Sequence, residues 1–258
     1  MNHHTDPAAP SRKRPILILV RHGQSLWNQE KTFTGWTDIG LSERGRLEAV
    51  AVGRRLREEG YAVDVCFTSL LTRASDTLRL MLQEMGRSDV PVHSSWRLNE
   101  RHYGALQGLS FWDGVRLHGL GPVLRCQRRY HVRPPQLPAG DVRHPRNDPR
   151  YGTLAASDLP TGESLQDTLT RLLPYWNEAI VPELRAGKCV LVVSHRNTLR
   201  SLIKHVLHLS DSKALNSKVP TATPMIFELG PDLQVIRHRS MRRPEIAATE
   251  TQPVQVET

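Results

Sequence analysis

The sequence predicts an α/β fold, a three-layer sandwich with a mainly parallel central sheet flanked by helices. Three observations carry that expectation. Ile16–Val20 and Cys189–Val193 are unbroken apolar runs, the pattern of strands buried on both faces. Strand-like and helix-like segments alternate along most of the chain. Each apolar run also leads to a histidine, through Arg21 to His22 and through Ser194 to His195. Ligands in open α/β sheets bind beyond the carboxyl ends of strands, so adjacent strands would bring both imidazoles to one sheet edge.

Taken in order, residues 1–14 are polar, contain Pro7 and Pro10 and end on Arg12-Lys13-Arg14, and read as a disordered tail. After the first strand, Ser42 is a plausible helix N-cap. Leu47, Val50, Ala51 and Leu56 then recur at helical spacing up to Gly60. A strand is expected over 63–68. A helix from Ser69 follows, with Leu71, Ala74, Leu78, Leu82 and Met85 on one face and Gly86 at its end. Val90-Pro91-Val92 suggests a short edge strand. From Leu98 the period is lost, and 110–162 reads as a basic lid or insert, Pro-rich and too long for an idle connection. A helix kinked near Pro174 spans about 164–184, and another follows the second apolar run through Leu207. Runs 225–229 and 233–236 can pair across Gly230-Pro231-Asp232. One domain over 15–240 is expected, with a flexible tail over 241–258.

Composition bounds the function. The chain has 258 residues, 38% of them hydrophobic, enough for a sizeable core. A formal net charge of +9 suggests an anionic partner. Three dispersed cysteines without CxxC spacing fit a reducing compartment. With no apolar run of membrane-spanning length and no signal-type N-terminus, a cytoplasmic protein is expected, without membrane or nucleic-acid partners. His205 and His208 lie three apart on a helix, but no third ligand is evident, and no metal is expected.

A histidine beside arginines in a glycine-containing loop suits phosphoryl transfer. Imidazole can attack phosphorus directly, dividing a hard transfer into two steps. Arginine forks neutralise the oxygens of the transferred group. A carboxylic acid must protonate the leaving oxygen, and Glu100 is the candidate.

An ordered set of motifs carries a resemblance: RHGQSLWN (21–28), FTGWTD (33–38), LSERG (41–45), TSLLTRASDTL (68–78), LNERHYGALQG (98–108), NDPRY (147–151), ESLQDTLTRLLPYWNE (163–178) and SHRNTLRSL (194–202). Together they resemble cofactor-dependent phosphoglycerate mutases of the histidine-phosphatase superfamily. The resemblance implies a phosphoglycerate mutase-like fold and interconversion of 3- and 2-phosphoglycerate, primed by 2,3-bisphosphoglycerate without a metal. His22 would carry the phosphate, with Arg21, Arg73 and His195 completing the pocket and Glu100 moving protons. Gly23, Gln24, Ser25, Asn28, Thr34, Gly35, Arg101, His102, Tyr103, Arg196 and Asn197 would contact substrate, and Arg128 and Arg129 would grip its far end. A homo-oligomer, dimer or tetramer, is compatible with the family. Two positions depart from its pattern: Phe111 stands where a phosphate-contacting lysine is usual, and Arg196 where glycine follows the second histidine. The C-terminal stretch from Arg237 also lacks the family's Tyr-Leu-Gly. These departures keep two alternatives open, a phosphatase of the same superfamily and a weakened paralogue that binds phosphorylated metabolites.

Overall fold

The computed structural model describes residues 14–242. The expected tails, 1–14 and 241–258, lie outside the described residues except for Arg14, Met241 and Arg242. Met241 is not tail-like: it is buried in the core, and its N–H donates to the Pro224 carbonyl at 2.9 Å.

The chain runs β1 (Ile16–Arg21), α1 (Leu26–Gln29), α2 (Glu43–Glu58), β2 (Val65–Thr68), α3 (Thr72–Met85), β3 (Val92–Ser94), α4 (Phe111–His118), α5 (Leu120–Arg128), α6 (Leu165–Tyr175), α7 (Val181–Arg185), β4 (Cys189–Ser194), α8 (Arg196–Val206), α9 (Asp211–Asn216), β5 (Met225–Leu229) and β6 (Val235–Ser240). The strands form one six-stranded sheet in the order β3-β2-β4-β1-β5-β6. The first four are parallel, and β5 and β6 add an antiparallel edge. The sheet is therefore mixed, with the expected hairpin supplying its antiparallel part.

Alternation along each strand divides the core between two faces. Leu17, Leu19, Phe67, Val190, Val192 and Phe227 face α6, α7 and α8, where Leu172, Leu184, Leu199 and Leu202 meet them. Ile18, Val20, Cys66, Leu191, Val193 and Ile226 face α2 and α3, against Val52, Leu56, Leu78 and Met81. Each such side chain removed from water contributes about 1.5–3 kcal/mol, so both helical layers are held to the sheet largely by apolar burial.

Local signals set the ends of the helices. Ser42 Oγ accepts the Gly45 N–H at 3.1 Å at the start of α2. Ser164 and Asp167 form a capping box on α6, and Gly86 closes α3 in the left-handed conformation. The expected break near Pro174 is a π-helical turn, Trp176–Ile180, between α6 and α7.

Segment 110–162 departs from expectation. Its first part is helical, with Ser110 capping α4 through the Asp113 N–H. Both helices cover a small third core of Leu106, Val123 and Cys126. The rest is a chain of short 3₁₀ turns pinned by ion pairs, Arg133 to Asp167, Arg143 to Asp141, and Arg150 to both Asp148 and Asp38.

Candidate active site

The site begins where two parallel strands end together. Arg21 of β1 lies opposite Ser194 of β4, so His22 and His195 leave the sheet side by side. Their ring centroids are 5.0 Å apart and the rings are tilted by 59°. The His22 N–H donates to the Ser194 carbonyl at 3.0 Å. Gly23 then packs on the start of α2 so closely that a Cβ there would lie 2.2 Å from the Gly45 carbonyl oxygen. Glycine at both positions therefore lets the loop carrying His22 sit directly on helix backbone.

The His22 ring is oriented by its own loop: Nδ1 lies 2.7 Å from the Gly23 carbonyl oxygen. A carbonyl only accepts, so Nδ1 carries the ring proton and Nε2 keeps its lone pair. Burial, then the charges of Arg73 and Arg21, hold the imidazole well below its ordinary pKa of 6.5. His22 thus presents a neutral, oriented imidazole at neutral pH. His195 is fully buried, with Nε2 2.7 Å from Ser69 Oγ. Its Nδ1 is buried without a hydrogen-bond partner.

His22 opens into a cavity of about 310 Å³, lined also by Arg21, Asn28, Lys31, Thr32, Phe33, Thr34, Gly35, Arg73, Glu100, Arg101, Tyr103, Gln127, Arg196, Asn197, Arg200 and Leu215. Six cationic side chains there face one carboxylate, which makes the cavity a receptor for a small polyanion. The volume lies at the small end of the roughly 300–1,000 Å³ usual for ligand sites. Arg73, 1% exposed, is anchored by donating to the carbonyls of Gly35 and Thr37 at 2.7 and 2.9 Å. Burial lowers it to about 10 despite the opposing influence of Glu100, leaving it charged near neutrality. Arg21 and Arg101 each retain a buried Nε without a protein partner.

Glu100 is set between a loop and a helix end. Its Oε1 accepts the Arg101 N–H at 2.8 Å and the Asn197 N–H of the first turn of α8 at 3.1 Å. The Asn197 amide donates to the Tyr103 hydroxyl at 2.9 Å, joining both walls of the cavity.

Of the sequence-predicted residues, Arg21, His22, Asn28, Thr34, Gly35, Arg73, Glu100, Arg101, Tyr103, Arg196 and Asn197 come together on this lining, with His195 against His22. Others stand outside it. Gly23 is the close-packing position just described. Gln24 accepts the Ser42 hydroxyl through Oε1 at 2.9 Å, and Ser25 caps α1. His102 is buried edge-on to Trp36 and accepts the Gly104 N–H through Nδ1 at 3.1 Å. Arg128 and Arg129 line the adjoining groove with Tyr130, His131 and Asp211. Gln127 lines both hollows; about 100° of helical rotation turns Arg128 aside, and Arg129, past the end of α5 in extended backbone, leaves with the chain. Phe111 is also off the lining, packed on the Leu106–Val123–Cys126 core.

Sequence reasoning missed Lys31, Gln127 and Arg200. Arg200 had a signal, since it lies one helical turn after Arg196 and shares its face. Among the described residues, no group of three or more His, Cys, Asp or Glu side chains is placed to hold a metal ion. No helix there is long and apolar enough to cross a membrane.

Comparison with known proteins adds the family. Residues 17–241 match the model of the histidine phosphatase superfamily, branch 1. A 2,3-bisphosphoglycerate-dependent phosphoglycerate mutase of Borrelia garinii subsp. bavariensis is 48% identical over 222 residues, 86% of this chain and 90% of the relative. The enzyme of the same description from Borreliella burgdorferi matches with the same identity and coverage. Among solved structures, a mycobacterial glucosyl-3-phosphoglycerate phosphatase superposes with a TM-score of 0.65 at 24% identity, covering 88% of this chain and 97% of its own. Bacillus stearothermophilus YhfR gives 0.64 at 23%, covering 83% and 91%. Both have the same fold as this chain.

Proposed function

Because the chain belongs to the histidine phosphatase superfamily, we propose, from its mutase relatives and from the geometry of His22, that it is a 2,3-bisphosphoglycerate-dependent phosphoglycerate mutase. It interconverts 3-phosphoglycerate and 2-phosphoglycerate and acts in the cytoplasm. The observation that carries the reading is a neutral His22, with Nε2 free, in a small cavity where six cationic side chains face Glu100.

The cavity fits the primer. A phosphate carries about −1.5 to −2 near neutrality, so two phosphates and a carboxylate match an excess of positive charge of this size. The unpartnered Nε atoms of Arg21 and Arg101 supply further donors. When bound, 2,3-bisphosphoglycerate supplies the phosphoryl group that primes His22.

In the first transfer, the Nε2 lone pair of His22 forms an N–P bond as the ester O–P bond breaks. Glu100 delivers a proton to the departing oxygen. In the second, the other substrate hydroxyl attacks the phosphohistidine, Glu100 takes its proton, and the N–P bond breaks. Arg21, Arg73 and His195, the last through its free Nδ1, balance the charge on the moving group. Asn28, Thr34, Gly35, Arg101, Tyr103 and Asn197 orient the rest of the substrate.

The test supplies 3-phosphoglycerate with and without 2,3-bisphosphoglycerate and follows 2-phosphoglycerate and free phosphate together. The mutase reading expects primer-dependent 2-phosphoglycerate, an acid-labile phosphoryl group on the protein that is lost in His22→Ala, and no effect of a chelator. Phosphate release without isomerisation would make the chain a phosphatase.

A further inference from the structure

We propose that Ser69 is a positioning residue for the phosphoryl transfer: its hydroxyl donates to His195 Nε2 and so fixes the ring proton on Nδ1, as a donor to the moving phosphoryl group. The inference rests on the role given to His195 above and adds a residue that does not line the cavity.

Three neighbouring strands bring the residues together. In the sheet, β4 lies between β2 and β1. Thr68, the last residue of β2, pairs with Val193 of β4, and its Oγ1 donates to the Val193 carbonyl at 3.0 Å. Ser69 therefore leaves the sheet beside His195, on the side opposite His22. Ser69 is 1% exposed and His195 is fully buried, so bulk water does not compete for their contact.

The hydrogen bonds give the contact a direction. Ser69 Oγ accepts the Leu71 N–H at 3.2 Å and lies 2.7 Å from His195 Nε2. Among the described residues, neither side chain has a further hydrogen-bond partner. Were the proton on Nε2, the Ser69 oxygen would accept twice and its own hydrogen would be stranded in the core. Nδ1 would also turn a lone pair toward an anionic group. With Ser69 as donor, its hydrogen and its oxygen are both used, and Nδ1 presents an N–H. That gives the buried, unpartnered Nδ1 a use, since phosphoryl oxygens only accept. Burial, then the charge of Arg73, opposes a second proton on the ring. A neutral ring carries its proton on one nitrogen, and Ser69 selects which.

The test reads tautomer and kinetics separately. Nitrogen NMR spectra of histidine-labelled protein, with His195→Gln used to assign the signals, should place the His195 ring proton on Nδ1. In Ser69→Ala it should move, wholly or in part, to Nε2. The same variant should lower kcat about tenfold or more and change KM less than about threefold, because a donor to the moving group acts mainly in the transition state. A proton on Nε2 in the unmodified protein would overturn the proposal whatever the variant does. So would an unchanged tautomer or an undiminished kcat in Ser69→Ala, and a KM that rises as much as kcat falls would mark a merely structural serine. Failure of the unmodified protein to isomerise 3-phosphoglycerate, with the proton on Nδ1, would instead count against the mutase reading.

Discussion

Arg171 and Glu163 form a buried ion pair directly behind the loop that carries Glu100. Arg171 Nε lies 2.6 Å from Glu163 Oε1, and the two side chains are 8% and 5% exposed. The same guanidinium donates to the carbonyls of Arg97 at 2.6 Å and of Asn99 and Glu100 at 2.9 Å. Glu163 Oε2 in turn accepts the His102 N–H at 2.8 Å. A planar fork with five donors can serve carboxylate and backbone at once, which an ammonium cannot.

Removing one partner leaves the other charge buried and unpaired. Glu163→Leu or Arg171→Leu should therefore cost about 3–5 kcal/mol in urea unfolding. Replacing both with leucine should cost less than the two single changes added together, because no charge is then stranded. Additive losses would mean that the pair is not coupled.

Glu100 touches two backbone N–H groups and faces the cavity, so its carboxyl is oriented before any substrate arrives. Glu100→Gln keeps the shape and removes the exchangeable proton. We expect kcat to fall by about 10²–10⁴, the usual worth of positioned acid–base catalysis, with KM changing far less. Parallel changes in both constants would assign the proton transfers to another group.

Buried histidines make stability depend on pH. Burial, then Arg73, holds His195 well below 6.5, and burial, then Arg171, lowers His102 to about 3. His22 is depressed in the same direction. Unfolded, all three take up protons near 6.5, and folded they do not. The stability gained by keeping them neutral is thus complete above pH 6.5 and lost as the pH falls below it. Each contributes up to about 1.4 kcal/mol per pH unit. Urea unfolding at pH 7.5 and 5.0 should show that loss, and His102→Gln should flatten the slope. If His22 is the nucleophile proposed above, activity should persist below pH 6.5, since its imidazole stays unprotonated there. An activity loss centred at 6.5 would contradict the environment described for His22.

What the sequence made legible follows from which features are local. Strands buried on both faces must be apolar throughout, so Ile16–Val20 and Cys189–Val193 stand out, and the histidines after them come with them. The antiparallel hairpin was visible through Gly230-Pro231-Asp232. Helices α4 and α5 were not, because Gly108, Gly114 and Gly119 interrupt the period and the small core beneath them asks for few apolar residues. Membership of the cavity was only partly legible. Arg128 and Arg129 look equivalent to Gln127 along the chain, and only the rotation of α5 and its end at Arg128 separate them. Lys31 carries no pattern at all until its left-handed backbone is seen.

Phe111 illustrates the same limit and gives the last prediction. By resemblance it replaces a lysine that touches phosphate, which on its own would predict a weakened grip on the bisphosphate. In the structure it packs with Phe33 and Tyr103 on the Leu106–Val123–Cys126 core, edge-on to Trp112 at 5.2 Å. The charge on the lining comes instead from Arg196. Phe111→Lys should therefore act mainly on stability. It exchanges a packed ring for a cation whose stem must leave the cluster, at a cost of about 1–3 kcal/mol. Phosphate released per mutase turnover should stay near that of the unmodified protein, while Arg196→Gln raises it severalfold. Measuring both products for the two variants decides the matter. If Phe111→Lys lowers phosphate release and Arg196→Gln leaves it unchanged, the ring position governs retention and Arg196 does not.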